Sequence, residues 1–117
     1  VISANMIFDL DIISISDNKR LKSGIFVSEI IATFGLLITI LLLSKQKIEM
    51  VAPAVGLYIG AAYWFTSSTS FSNPAVTIAR TLSNTFTGII PSDVIPFIFA
   101  QLIGTLIVYF IYKHVYE

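Results

Sequence analysis

The chain has no cysteine, one histidine and one tryptophan, and its charges are few and balanced. The missing cysteines exclude disulfides, thiolate metal ligands and cysteine nucleophiles, and they leave the redox compartment open. His114 has no cluster of ligand-type neighbours in sequence, so neither a metal site nor any other cofactor is expected. Charged residues make up 12% of the 117 residues and the formal net charge is +0, which offers no basic surface for nucleic acid. No nucleophile–base pair, metal cluster or phosphate-binding glycine loop is present. No catalytic residue is therefore assigned, and the chain is not read as an enzyme. No basic region followed by an apolar stretch and cleavage site marks a signal peptide. The chain begins at Val1, and residues 1–6 are apolar enough to end a preceding span. The expectation is a segment of a longer polypeptide.

What the chain has in excess is apolar side chain. Its 56% hydrophobic content and mean hydropathy of +0.87 are too high for an ordinary soluble domain of this size. A helix rising about 1.5 Å per residue crosses a hydrocarbon core of about 30 Å in roughly twenty residues. On that measure residues 24–44, 51–66 and 94–113 read as three transmembrane helices. Residues 1–23 sustain no helical or strand period and read as an extramembrane connection with room for one short helical turn. Lys45 and Lys47 lie in the turn between the first two spans, but Lys19, Arg20 and Lys22 precede them, so basic residues do not fix orientation. Small residues at close-packing spacing, Ser28, Ala32 and Gly35, Gly56 and Gly60, Ala100 and Gly104, predict near approach of helices. Gln101 is expected to bond across helices. Tyr109, Tyr112 and Tyr116, beside Lys113 and His114, suit a membrane interface.

The most informative stretch is residues 72–80. Asn73 suits a helix N-cap, where its oxygen accepts a free amide, and Pro74 suits the first helical position, where no amide is needed. No charge interrupts the chain from Val51 through Ile78. A helix starting in so apolar a setting leaves unpaired amides, which must face protein or a water-filled cavity. Residues 67–90 therefore read as a re-entrant loop and a half-helix running from Asn73 to about Gly88, with its partly positive end at the membrane centre. Glu29 is the one acidic residue well inside a span. Placing a carboxylate there costs a few kcal/mol, so it should face protein and find donors.

The triplet Asn73-Pro74-Ala75, entered through Phe71-Ser72 and set between two spans, resembles the second signature loop of the aquaporin and glycerol-facilitator family. Ser28-Glu29-Ile30-Ile31-Ala32-Thr33-Phe34-Gly35 is similar to that family's fourth span. From about Gly24 onward the resemblance is to the C-terminal half, which implies three transmembrane helices plus one re-entrant half-helix, the second inverted repeat of an aquaporin-like fold. It implies that Glu29 accepts loop amides and that Asn73, Pro74 and Ala75 form the pore signature. Selectivity-filter candidates are Tyr63, Phe71, Val76 and Arg80. Most family members carry arginine directly after the triplet, where this chain has Val76. Arg80 follows one turn later, near the outer mouth or paired with Asp93.

The function so implied is a passive channel for water or small uncharged solutes, glycerol-like polyols and neutral metalloid acids among them. The resemblance also implies exclusion of protons and ions by the positive half-helix end, the known case of aquaporin-type pores. The implied partners are the lipid bilayer, the solute, a missing N-terminal half or a second copy, and a homotetramer of complete channels in the plasma membrane. The alternatives are a non-conducting subunit or half-channel needing a partner chain, and an energy-coupled transporter.

Overall fold

A computed structural model describes residues 1–116; residue 117, the end of the expected channel half, lies outside the described residues. Five α-helices follow one another: α1 (Ile2–Ile7), α2 (Ser23–Gln46), α3 (Val51–Phe65), α4 (Pro74–Ala79) and α5 (Val94–Tyr116). Short 3-10 turns at Ile48–Met50, Arg80–Leu82 and Pro91–Asp93 join them, and no strand occurs among the described residues. Three helical stretches, Ser23–Gln46, Ile48–Phe65 and Pro91–Tyr116, are long and apolar enough to cross a membrane. The fold is all-helical with three spans.

Exposed large apolar side chains, among them Val27, Ile31, Leu57, Phe99, Leu106 and Phe110, cover the outside of these helices. Helices apolar all round suit a lipid solvent. The interior is correspondingly inverted, because buried polar and charged side chains outnumber buried apolar ones. The apolar core is the cluster of Phe71, Ile89 and Phe97, with Ile25 and Val94 packed against it.

α2 packs mainly against α5, and α3 lies against α2. Glycine sets both approaches. A methyl group on Gly104 would stand 2.8 Å from the Ile30 carbonyl oxygen and 3.1 Å from Thr33 Cβ. One on Gly35 would run into the Tyr58 ring, whose hydroxyl donates to the Ala32 carbonyl at 2.8 Å. Gly56 and Gly60 behave differently, since nothing lies within 4 Å of where their side chains would stand. Their expected packing role is not met within this chain. At the far end of α5, Lys45 Nζ of α2 stands 4.9 Å from the Tyr112 ring, which joins the ends of α2 and α5, and within α5 Lys113 Nζ lies 5.7 Å from the Tyr109 ring.

Two local expectations are corrected. The helix beginning at Pro74 ends at Ala79, tightens into the turn Arg80–Leu82, and stops well before Gly88. Thr81, Ser83, Thr85 and Thr87 crowd the following stretch with hydroxyl side chains that bond locally and compete with helix. The opening segment is also more than a solvated connection. Beyond the short helix allowed for there, which is α1, its Asn5, Ser16 and Arg20 are buried against residues 81–90.

Candidate functional site

The site is built on the loop from Thr66 to Asn73. Thr69, Ser70 and Ser72 adopt φ of 61°, 51° and 54°. Non-glycine residues seldom occupy that left-handed region, which costs each roughly 1–2 kcal/mol. Such a backbone persists only where its surroundings hold it. Thr66 Oγ1 donates to Ala62 O at 2.7 Å, Ser67 N donates to Ser28 Oγ at 2.9 Å, and the hydroxyls of Ser70 and Ser72 lie 3.0 Å apart.

Glu29, fully buried in the second turn of α2, is the centre of that support. Its Oε1 accepts the main-chain N–H of Ser72 and, at 2.9 Å, the side-chain amide of Gln101. The same Gln101 Nε2 donates to Thr77 Oγ1 at 2.8 Å, and Thr77 Oγ1 donates to the Asn73 carbonyl at 2.9 Å. One polar network thus joins α2, the loop, α4 and α5. Glu29 Oε2, Gln101 Oε1 and Thr33 Oγ1 are buried without a hydrogen-bond partner among the described residues. Thr33 and Gln101 also line a cleft of about 290 Å³, together with Ser72, Asn73 and Pro74.

Asn73 caps α4. Its backbone is extended, at φ −158°, and its Oδ1 accepts Ala75 N–H at 2.8 Å. That bond fixes the amide plane and leaves the Nδ2 hydrogens as the donors turned away from the helix. Asn73, Pro74 and Ala75 are exposed within this chain, Val76 is half-buried and Thr77 is buried.

The filter candidates are distributed unevenly. Phe71 is 2% exposed, edge-on to Phe97 at 5.2 Å between ring centres. Its ring belongs to the packed interior among the described residues. Arg80 lies 4.4 Å above that ring. Asp93, the alternative partner for Arg80, accepts the main-chain N–H groups of Arg20 and Leu21 instead, at 2.9 and 3.1 Å. Tyr63, half-buried, lies within electrostatic range of both Arg20 and Arg80.

Arg20 was not singled out by any motif, because nothing in local spacing links residue 20 to residues 69, 86 and 88. Its Nε donates to Gly88 O at 2.6 Å, its Nη2 to Phe86 O, and its Nη1 to Thr69 Oγ1 at 3.5 Å. Its guanidinium stands 5.1 Å from the Phe71 ring centre. Burial, and then the nearby charge of Arg80, hold its pKa below the ordinary guanidinium range.

Three membrane-length helices around a capped polar loop define an integral membrane protein. A protein of Rhizobium meliloti (strain 1021) named Aquaglyceroporin AqpS is 48% identical over 103 residues, which is 88% of this chain and 44% of that protein. The chain belongs to the aquaporin and glycerol-facilitator family. It spans less than half the length of that relative. Neither a protein-family model nor a solved structure matches it.

Proposed function

We propose that this chain forms half of a passive transmembrane channel for water and small uncharged solutes of the glycerol type, and that it is not an enzyme. The capped start of α4 carries the reading. It sets Asn73 in the lining of a cleft, on a loop held by a buried carboxylate. Residues 67–90 act as the re-entrant element, and Glu29 holds its loop. A single-file solute passing Asn73 accepts from its Nδ2 and turns its dipole, while the helix start repels cations.

Val76 makes the constriction less polar than an arginine would, which favours polyols and neutral metalloid acids in addition to water. The wall opposite Asn73–Pro74 comes from the rest of a longer polypeptide, the C-terminal half being the part described. A relative more than twice the matched length, and the unspent polar atoms at the cleft, support this. Complete channels assemble as tetramers in the plasma membrane.

The test is reconstitution of the full polypeptide in liposomes with stopped-flow shrinkage under glycerol and sucrose gradients. Rapid glycerol entry that needs no ion gradient, with sucrose excluded, is the expected result. Glycerol entry no faster than in empty vesicles would point to a non-conducting subunit, and ion-driven accumulation to a coupled carrier.

A further inference from the structure

Phe71 and Arg80 stand beside a residue that lies outside the signature stretches of the sequence. Arg20 comes from the connecting segment ahead of α2, yet its guanidinium is buried and shares the Phe71 ring with Arg80, at 5.1 and 4.4 Å. Contacts to Gly88, Phe86 and Thr69 fix where its charge sits. The nearby carboxylates bond to neutral donors: Asp93 accepts the main-chain N–H groups of Arg20 and Leu21, and Glu29 Oε1 accepts Ser72 N–H and the Gln101 side-chain amide. No ion pair to either guanidinium occurs among the described residues, and the carboxylate whose charge reaches both, Glu29, offsets at most one of the two positive charges beside the loop.

A fixed pair of cations in a low-dielectric setting repels a passing cation far more than the same pair would in water, and it acts weakly on a neutral solute. Val76 supplies no charge at the position after the triplet. We infer that Arg20 is a specificity-determining residue: together with Arg80 it provides the positive field that excludes cations at the outer constriction. The inference rests on the channel reading.

Thr69 offers a way to cancel the charge without removing the arginine. Thr69→Asp sets a carboxylate against Arg20 Nη1, while Thr69→Asn is a neutral control; both residues tolerate the left-handed backbone there better than threonine. In proteoliposomes of the full polypeptide, the ratio of methylammonium to glycerol permeability is the readout. Thr69→Asp and Arg20→Gln are expected to raise it about tenfold, and Thr69→Asn and Arg20→Lys to leave it within about twofold. Absence of glycerol flux in the unmodified protein would overturn the channel reading. Normal glycerol flux with Thr69→Asp matching Thr69→Asn, or Arg20→Lys matching Arg20→Gln, would overturn the inference alone. Should an Arg20 variant fail to assemble, the Thr69 pair decides.

Discussion

Glu29 and Gln101 meet across the interface of α2 and α5, with Gln101 Nε2 2.9 Å from Glu29 Oε1. The carboxylate has a second donor in Ser72 N–H, and the amide a second acceptor in Thr77 Oγ1. Neither side chain can be changed without disturbing the strained loop and the capped helix together.

Replacing Glu29 should therefore act through structure first. Hydrogen bonds to a charged acceptor contribute roughly 1.5–3 kcal/mol, and a buried donor left unpaired costs about 1–3 kcal/mol. Glu29→Gln, which keeps an acceptor but loses the charge, is expected to destabilise by about 1–2 kcal/mol. Glu29→Ala strands both donors and should cost about 3 kcal/mol or more. Unfolding in mixed detergent and SDS measures the difference. Equal stability of the two variants would mean that the carboxylate does not hold the loop.

Asn73 separates the cap from the pore. Asn73→Ala removes the acceptor for Ala75 N–H and should cost about 1 kcal/mol. Asn73→Asp keeps that acceptor, so stability should hold, but it replaces the free amide donors with negative charge. Solute flux should then fall and cation leak rise, as measured by light scattering and by ion-sensitive dye in the same vesicles. Unchanged flux in a stable Asn73→Asp protein would place the permeation path away from this residue.

Thr69 carries a β-branched side chain at φ 61°, and its hydroxyl contact with Arg20 is long, at 3.5 Å. Asparagine tolerates this conformation through its short polar side chain. Thr69→Asn is expected to raise unfolding stability by up to about 1 kcal/mol, most of the strain being recovered for little lost bonding. Thr69→Val keeps the branching and removes the hydroxyl, so it should gain nothing. A loss of stability in both would show that the hydroxyl matters more than the backbone.

Sequence alone made the three spans legible, because a membrane helix is written as one unbroken apolar run and needs no tertiary information. The cap at Asn73 and the buried role of Glu29 were legible for a related reason: each breaks a rule of its surroundings and so demands a partner. Phe71 and Arg20 were not. Whether a phenylalanine beside a signature loop faces a lumen or a core depends on Phe97 and Ile89, which lie many residues later. Arg20 looked like one more charge in a polar connection, and only the return of residues 86–88 past the loop makes it buried. The end of α4 is not written in its cap: Thr81, Ser83, Thr85 and Thr87 after Arg80 compete for the backbone and stop the helix early.

The glycines give the sharpest contrast between a pattern and its use. Gly104 faces main chain, since an added methyl meets the Ile30 carbonyl oxygen at 2.8 Å, and a carbonyl within a helix cannot swing aside. Gly104→Ala should push α5 from α2 and destabilise by about 1–3 kcal/mol, as overpacking does elsewhere. It should also disturb the Glu29–Gln101 contact, because Gln101 lies one turn before it on α5. Gly60 has the same small-residue spacing but open space around it. Gly60→Ala should be neutral or stabilising by up to about 1 kcal/mol through helix propensity alone. Measuring both in the full polypeptide distinguishes two environments for α3. A neutral Gly60→Ala places that face against lipid, which repacks around a methyl group. A costly one means that another helix of the assembly approaches there, and the cost should fall with detergents that dissociate the oligomer if that helix belongs to a neighbouring copy.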